Sequence, residues 1–334
     1  MSQSNANSKQ TPAGSSPGVS VVLPILNEER YLEGAISGIL AQKFDGPLEV
    51  ILALGPSHDK TNEIASALAN KDSRIVLVDN PSGRTAAALN QAIGQSQYSI
   101  ICRIDGHAEI APTYISRAVK VMNETGAVNV GGVMAASGYG TFEQAVATAM
   151  RSPLGVGAAR FHTGGKAGPA DTVYLGVFSK AALLAVGGYD ERFTRAQDWE
   201  LNFRLRQAGG IIWFDPDLVV TYRPRPNLRA LTKQYFEYGR WRRVVIRSHK
   251  GTVNFRYLAP PAAVVLSILS IVLGATLNSI FYLPFALYLL GILVGSFMIG
   301  KNVREKIALP AILATMHFSW GIGFLTSPKG LIEK

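Results

Sequence analysis

The sequence predicts an α/β domain with a mostly parallel sheet, followed by membrane-spanning helices at its carboxyl end. Between residues 19 and 104, short apolar runs rich in β-branched residues alternate with segments of helical periodicity. That alternation is typical of a parallel sheet covered by helices on both faces. The second observation is Tyr257–Gly300, a stretch of 44 residues without Lys, Arg, Asp, Glu or His. Because a bilayer core is about 30 Å thick, such a stretch is long enough for two crossings.

The first part of the domain repeats a strand and a helix. Apolar runs predict four strands, at Val19–Pro24, Leu48–Leu54, Ile75–Val78 and Tyr98–Ile104. Helical spacing predicts the three helices between them, at Glu28–Ala41, Thr61–Ala69 and Arg84–Ala92. Ligands of parallel sheets bind at the carboxyl ends of the strands. Asp105 and His107 directly follow the fourth strand, so they are candidate binding residues.

Residues 128–223 break this rhythm with the glycine-rich runs VGGV, SGYG and TGGKAG. The remaining periodicity predicts a strand at Thr172–Phe178, helices at Lys180–Val186 and Asp198–Ala208, and short strands at Ile211–Phe214 and Leu218–Tyr222. The chain has a single cysteine, Cys102, so an internal disulfide is excluded. Because Cys102 lies in an apolar run, we expect a buried thiol in a reducing compartment. Residues 1–18 are polar and rich in Ser, Gly and Pro, which predicts disorder and no signal peptide.

The apolar carboxyl end, residues 257–326, predicts two or three membrane-spanning helices before a short tail at residues 327–334. Two spans are expected at Ala259–Leu277 and Ile280–Gly300, joined by the uncharged turn at residues 278–279. A third apolar segment, Ile307–Leu325, follows the charged loop KNVREK. Its interior Pro310 and His317 leave open whether it spans or re-enters the membrane.

Basic residues are concentrated directly before the first predicted span. Arg223–Arg256 contains ten Lys or Arg and one acid, which accounts for +9 of the formal net charge of +10. By the positive-inside rule this segment faces the cytoplasm, which predicts a multi-pass cell-membrane protein with a cytoplasmic domain. Residues 224–256 also have the amphipathic pattern of a helix at the surface of a membrane with anionic lipid. Nucleic acid is disfavoured as a partner because no recognition motif accompanies the charge.

The triplet Asp105-Gly106-His107 has the donors that a divalent cation requires. A carboxylate and an imidazole suit Mn²⁺ or Mg²⁺, and such an ion would carry substrate phosphate. Taken alone, an Asp-Gly-His triplet is more often a turn. Its interpretation therefore depends on the motifs around it.

Those motifs, in order and spacing, resemble the family 2 glycosyltransferases with the GT-A fold. The resemblance covers about residues 19–223 and extends, through the basic segment and the apolar end, to membrane-bound exopolysaccharide glucosyltransferases of the succinoglycan type. The stretches that carry it are PILNEE (24–29), SHDKT (57–61), GRTAAALN (83–90), DGH (105–107), YLGVF (174–178), GGYDERF (187–193) and QDWEL (197–201).

The resemblance implies a metal-dependent, inverting transfer of one hexose from a nucleotide-diphosphate sugar, with a UDP-sugar as the expected donor. Asp198 matches the family's catalytic base, although Gln197 replaces the usual Glu before it. Asp105 and His107 are the expected metal ligands. The residues expected to bind the nucleotide sugar are Pro24, Asn27, Glu28, Asp59, Arg84, Asn90, Asp105 and Gly176. Family members usually have Asp after the second strand to recognise the nucleobase, and this chain has Leu54-Gly55-Pro56 there. Recognition of the nucleobase therefore remains open.

The expected acceptor is membrane-associated, such as a polyprenyl-diphosphate-linked glycan of cell-envelope or exopolysaccharide synthesis. Arg240, Trp241, Arg242 and Arg243 are candidates for binding its diphosphate, and unspecific attraction to anionic lipid is an equally good interpretation. A degenerate GT-A domain that serves as a non-catalytic scaffold of an envelope complex remains the alternative function. A dinucleotide-dependent oxidoreductase is excluded because no G-x-G-x-x-G follows the first strand.

Overall fold

A nine-stranded mixed sheet forms the centre of residues 16–332, the part of the chain that the computed structural model describes. The order of its strands is β3-β2-β1-β4-β8-β6-β9-β5, and β7 pairs with β9. The predicted disorder of residues 1–15 and the last two residues of the predicted tail lie outside the described residues. The strands are β1 (Val19–Ile25), β2 (Leu48–Leu54), β3 (Ile75–Asp79), β4 (Ile100–Arg103), β5 (Glu109–Ile110), β6 (Asn129–Ala136), β7 (Gly168–Pro169), β8 (Tyr174–Ser179) and β9 (Ile212–Tyr222).

The direction of the strands brings six carboxyl ends to one edge of the sheet. Strands β1 to β4 are mutually parallel where they pair. Strand β8 is antiparallel to both β4 and β6, so β6 runs in the direction of β4. Because β9 is parallel to β6, the ends of β1 to β4, β6 and β9 face the same way. The predicted fold class, a mostly parallel α/β sheet, is confirmed.

Helices cover both faces of this sheet. One layer of the core includes Leu32 and Ile36 with Tyr114, and the other includes Leu89 with Leu201. The strands read as continuous apolar runs because both of their faces are buried. The helices are α1 (Leu32–Leu40), α2 (Thr61–Lys71), α3 (Thr85–Gln95), α4 (Tyr114–Thr125), α5 (Thr141–Met150), α6 (Pro153–Val156), α7 (Arg160–Thr163), α8 (Lys180–Ala185), α9 (Gln197–Gln207), α10 (Leu228–Ser248), α11 (Phe255–Thr276), α12 (Leu283–Ile299) and α13 (Val303–Thr326).

The glycine-rich run VGGV belongs to a central strand, which corrects the sequence-based prediction of a break there. In β6 a Cβ on Gly132 would collide with the carbonyl oxygen of Leu218 in β9. Glycine is therefore required where the two backbones approach, and the pairing is irregular at this point. The two short strands predicted at residues 211–214 and 218–222 form one continuous strand, β9. Apolar periodicity missed β6 because glycine contributes no apolar side chain to the pattern.

Three C-terminal helices are long and apolar enough to cross a membrane: Phe255–Thr276, Ser279–Ile299 and Val303–Thr326. The expected turn at residues 278–279 lies between the first two, followed by a short 3-10 helix at Ser279–Tyr282. The basic segment before them forms α10, whose apolar residues divide between two environments. Leu231, Tyr235 and Val245 are buried in the protein, whereas Leu228 and Tyr238 remain exposed.

Candidate functional site

Arg103 joins the two carboxylates that the sequence singled out. It is the last residue of β4, and only 5% of its side chain is exposed. Its Nη2 atom lies 3.2 Å from Oδ1 of Asp105, and its Nη1 donates to Oδ1 of Asp198. Asp105 and Asp198 are 93 residues apart in the chain, and one buried guanidinium holds them at the carboxyl edge of the sheet. The sequence predicted both acids but not their common partner.

Asp198 lies in the first turn of α9, where the positive end of the helix dipole favours a carboxylate. Burial raises the pKa of its carboxyl above the usual range, and the adjacent Arg103 opposes that shift. Ala196, the residue that precedes the helix, has a left-handed φ of 60°. A residue other than glycine is strained in that conformation, which is typical of backbone fixed at functional sites. The chain thus enters α9 in one defined direction, with Asp198 next to Arg103.

His107 and Glu28 form a pair across two strand ends. Nδ1 of His107 lies 2.8 Å from Oε1 of Glu28, and this hydrogen bond raises the pKa of the imidazole. An ionised carboxylate only accepts, so Nδ1 carries the proton, and in the neutral imidazole Nε2 has the lone pair. Histidines that bind metals commonly donate their second nitrogen to a carboxylate in this way. The donor set therefore fits a divalent cation held by Nε2 of His107 and the carboxylate of Asp105.

No cluster of three or more His, Cys, Asp or Glu side chains that could hold a metal ion occurs within residues 16–332. A cation at Asp105 and His107 would thus have two protein ligands. Mn²⁺ and Mg²⁺ commonly complete such a shell with water and substrate phosphate. The arrangement fits an ion that binds together with a phosphorylated substrate.

Asn27 and Asp59 shape the loops that follow β1 and β2. Oδ1 of Asn27 accepts from the backbone N–H of His58 at 2.9 Å, and Asn27 has a left-handed φ of 57°. The Asp59 carboxylate accepts from Thr61 at the start of α2, which lowers the pKa of Asp59. Pro24 lies within β1, opposite Ala53 of β2. These three predicted donor-binding residues thus surround the carboxyl ends of β1 and β2.

Asn90 ties α3 to the turn that precedes α9. Its side-chain amide donates to the carbonyl oxygen of Tyr189 and accepts from the Tyr189 N–H, each at 2.8 Å. Tyr189 in turn presents its ring 5.8 Å from the Arg103 guanidinium. Gly176 has a φ of 121°, and its missing Cβ leaves room for Oδ1 of Asn129. The contacts of Asn90 and Gly176 in this structure are with protein.

Arg84 remains available for a ligand. It occupies the position before α3, its side chain is exposed, and within the described residues it forms no ion pair or side-chain hydrogen bond. Parallel strand ends and the start of a helix are places where phosphate commonly binds. Arg84 is the one cation among the predicted donor-binding residues, and within residues 16–332 no acid pairs with it.

The four residues predicted for the acceptor diphosphate point in different directions along α10. Trp241 is buried beside Phe193 and Trp199. Arg240 pairs with Glu237 at 2.9 Å.

Two further arginines of the predicted set lie against aromatic rings. Arg242 lies 4.6 Å from the ring of Trp199 and 4.2 Å from that of Tyr257, and burial lowers its pKa to about 10. Arg243 lies over Phe324 of α13. The structure therefore does not gather these four side chains around a common cavity.

Sequence reasoning missed a second buried ion cluster behind the candidate site. Glu200, which is 1% exposed, pairs with Arg204 at 2.7 Å and with Nε2 of His249 at 3.0 Å. The cluster ties α9 to the loop that precedes α11. The available sequence signal was the spacing of Glu200 and Arg204, four residues apart on a predicted helix, which favours an ion pair.

Comparison with known proteins identifies the family. The profile of Glycosyl transferase family 2 matches residues 20–186. Succinoglycan biosynthesis protein ExoA of Rhizobium meliloti is 33% identical over 91% of this chain and 93% of its own length. A Methanococcus voltae dolichyl N-acetyl-alpha-D-glucosaminyl phosphate 3-beta-D-2,3-diacetamido-2,3-dideoxy-beta-D-glucuronosyltransferase is 24% identical over 94% of this chain and 97% of its own.

Solved structures share the fold at lower identity. The mannosyltransferase PcManGT from Pyrobaculum calidifontis, solved with GDP-Man and Mn²⁺, superposes with a TM-score of 0.59 at 18% identity. The alignment covers 92% of this chain and 89% of PcManGT. S. aureus TarS 1-349 in complex with UDP gives a TM-score of 0.51 at 14% identity, over 90% of this chain and 89% of TarS 1-349. The GT-A fold predicted from the motifs is confirmed.

Proposed function

The chain belongs to glycosyltransferase family 2, and we propose that it transfers one hexose, with inversion, from a nucleotide-diphosphate sugar to a membrane-associated acceptor. The donor we propose is a UDP-sugar, and the acceptor a polyprenyl-diphosphate-linked glycan of exopolysaccharide or envelope synthesis. The main support is the constellation of Asp105, Arg103 and Asp198 at the carboxyl edge of the sheet. The family and the names of the relatives, which include succinoglycan and dolichyl phosphate chemistry, support the substrate classes.

On the donor side, Asp105 and Nε2 of His107 would hold a divalent cation, and Glu28 would keep the imidazole in the correct tautomer. The cation would neutralise the charge that develops on the departing nucleotide diphosphate. The exposed Arg84 would add a second positive charge near the phosphates. These side chains bind and orient the leaving group without taking a proton themselves.

On the acceptor side, Asp198 is the proposed general base. It would take the proton of the acceptor hydroxyl while the oxygen attacks the anomeric carbon and the bond to the nucleotide diphosphate breaks. Attack opposite the leaving group inverts the configuration of that carbon. A pKa raised by burial brings this carboxylate nearer to the operating pH, which makes it a better base. Arg103 would hold Asp198 in position beside Asp105, the proposed metal ligand.

The apolar helices support a location in the membrane. We propose that α11 and α12 anchor the chain and that the catalytic domain faces the cytoplasm, as the basic residues around α10 favour. The same residues would attract anionic lipid. A membrane anchor next to the site suits an acceptor that is itself held in the bilayer.

Nucleotide release by the full-length protein in lipid nanodiscs tests this function. UDP-, GDP- and TDP-sugars would each be offered with Mn²⁺, with Mg²⁺ and with a chelator, first alone and then with membrane extract as acceptor. We expect metal-dependent release from one donor, lost in Asp198→Asn and retained in the matched surface variant Asp45→Asn. Equal release by Asp198→Asn and the parent would contradict the base assignment. Release that the chelator leaves unchanged would contradict the metal site.

A further inference from the structure

A polar cavity of about 500 Å³ lies where the loop between α12 and α13 meets the sheet. Its walls include Ala136 at the end of β6 and Thr221 near the end of β9. Both strands run parallel to β4, so the cavity lies on the same edge of the sheet as Asp105. Glu109, four residues after Asp105, also lines it. Volumes of about 300–1,000 Å³ are typical of small-molecule sites.

Three cations line this cavity: Arg151, Arg223 and Lys301. Arg223 pairs with Glu109 at 3.0 Å. Arg151 and Lys301 are exposed, and within residues 16–332 neither side chain forms an ion pair or hydrogen bond. The second acid of the lining, Glu305, is 3% exposed and accepts from neutral donors, so it forms no ion pair with either cation. Three cations against two acids give the lining a net charge of +1.

Glu305 attaches the loop between α12 and α13 to the catalytic domain. Its carboxylate accepts from Thr148 of α5 at 3.0 Å and from the backbone N–H of Lys301 at 3.1 Å. Asn302 donates to the same carboxylate at 3.0 Å. The cavity therefore lies between the catalytic edge and the end of a membrane helix, and two of its cations, Arg151 and Lys301, pair with no acid within residues 16–332.

We propose that this cavity binds the phosphate groups of the lipid-linked acceptor, with Arg151 and Lys301 as their counter-charges. The proposal rests on the proposed function, because it concerns the acceptor of that reaction. A lipid phosphate must remain at the membrane surface while its sugar reaches the catalytic edge, and the cavity adjoins both places. The arginines expected from sequence, Arg240, Arg242 and Arg243, are already engaged with an acid or with aromatic rings.

Farnesyl diphosphate, a short polyprenyl diphosphate, is the probe for this site. Calorimetric titration of the full-length protein in nanodiscs of zwitterionic lipid should show binding. Arg151→Gln and Lys301→Gln should each weaken it about tenfold, since each removes one charge-assisted contact. Lys233→Gln, an exposed α10 variant outside the cavity, should bind as the parent does. Nucleotide release with membrane extract as acceptor should fall in the two cavity variants and persist in Lys233→Gln.

Three outcomes would overturn this site: no binding by the parent, equal binding by the cavity variants, or weakening by Arg243→Gln instead. If phosphatidylglycerol added to the nanodiscs displaces farnesyl diphosphate, Arg151 and Lys301 bind lipid headgroups, which would also contradict the proposal. Binding of inorganic pyrophosphate with the same losses would show recognition of the diphosphate alone, which supports the proposal. Failure of the parent to release nucleotide from any donor would contradict the proposed function and leave the binding result to stand by itself.

A separate set of contacts concerns α13, the third apolar helix. At its start Glu305 is bonded to Thr148 of α5. Directly after its end, Ser327 donates to the carbonyl oxygen of Arg240, and Arg247 donates to the carbonyl oxygen of Ser327. A helix of 24 residues extends about 36 Å, more than a bilayer core. Both ends are nevertheless attached to the part of the chain that precedes the membrane helices.

The C-terminal third of α13 is held to α10 by close backbone contacts. A Cβ on Gly239 of α10 would collide with the carbonyl oxygen of Trp320, and one on Gly323 would collide with that of Phe236. The two helices therefore touch backbone to backbone. Helix α10 carries six Lys or Arg between residues 228 and 248, which excludes it from a bilayer core. Any helix packed along it must also remain at the membrane surface.

The opposite face of α13 is exposed and apolar near both ends of the helix, whereas Phe318 between them packs against Tyr288 of α12. This face presents Ile307, Ala311, Ile322 and Leu325, at spacings that place them on one side of a helix. Ile307 is 73% exposed. Such a face, with protein behind it, fits the acyl region of a single leaflet.

We infer that α13 lies in the plane of the leaflet next to the catalytic domain and does not cross the bilayer. The chain then crosses twice, through α11 and α12. The residues after α13 return to the side of the catalytic domain, whereas a third crossing would put them on the far side.

Labelling of single cysteines tests this placement without reference to activity. In a Cys102→Ala background, which removes the only cysteine of the chain, new cysteines would be placed at Lys71 in α2, Leu277 after α11 and Lys329 after α13. An impermeant maleimide would be applied to sealed vesicles of one orientation and again after permeabilisation. Lys329→Cys should react together with Lys71→Cys and opposite to Leu277→Cys. Reaction of Lys329→Cys together with Leu277→Cys would overturn the in-plane helix.

Discussion

Replacement of Arg103 by Met should expose how much the central guanidinium contributes. The substitution keeps an unbranched chain of similar length and leaves Asp105 and Asp198 facing each other without a cation. Breaking a buried ion pair by removing one partner costs about 3–5 kcal/mol. The two carboxylates are 21% and 28% accessible, so water screens them partly. We therefore expect a loss of about 2–3 kcal/mol in the free energy of unfolding.

The loss is measurable as a change in Tm. For a domain of roughly 200 residues, 1 kcal/mol shifts Tm by about 2–4 °C, so Arg103→Met should unfold about 4–12 °C below the parent. Scanning calorimetry of the protein in nanodiscs would measure it. Arg103→Lys, which retains the charge, is the matched control and should lose less.

A double-variant cycle separates the unpaired charge from lost packing. If the uncompensated Asp198 carboxylate causes the loss, adding Asp198→Asn to Arg103→Met should return part of the stability. The double variant would then be at least about 1 kcal/mol more stable than the sum of the single effects. An unchanged Tm in Arg103→Met, or strictly additive effects, would refute the bridging role.

Three further predictions concern other parts of the molecule. Gly239→Ala should separate α10 from α13 and lower Tm by several degrees. Gly291→Ala is the control, because its Cβ would meet nothing within 4 Å and Tm should not change. Equal Tm values for the two variants would contradict the packing of α10 against α13. Burial raises the pKa of the Cys102 thiol to about 12, so native protein should resist maleimide at pH 8 and react after denaturation; rapid native labelling would disprove burial. Because burial raises the pKa of Asp198 above 3.8, kcat/KM should fall as the pH decreases through a value above 3.8; a pH-independent rate down to 3.8 would contradict this.

The sequence was sufficient for the elements that have a strong apolar period. The strands that became β1 to β4, the helices between them and the three C-terminal helices were predicted within a few residues. Strand β6 was missed because two glycines interrupt its apolar pattern. Gly132 is needed for the close approach of β9, a partner more than 80 residues away, and a Cβ on Gly131 would collide with Val173 and Tyr174, so the reason for both glycines is tertiary.

For the site, the sequence identified the residues but not their partners. Asp105, His107 and Asp198 were recognisable from motifs and from their places after a strand or at the start of a helix. The pairing of His107 with Glu28 and of Asp198 with Arg103 joins residues 79 and 95 positions apart. A lone arginine at the end of an apolar strand required a buried acid, and only the folded chain shows which acids compensate it.

By itself the sequence determined the α/β class, the family, the acids of the candidate site and the presence of a membrane-associated end, because these depend on local pattern and residue chemistry. The tertiary structure decided which charges compensate one another, that Arg151 and Lys301 beside the cavity pair with no acid among residues 16–332, and that α13 is fastened along its length to α10 and α5. Hydropathy reads α13 as a span, since it records only how apolar a helix is. Which of its faces meets protein and which meets lipid depends on packing between distant segments.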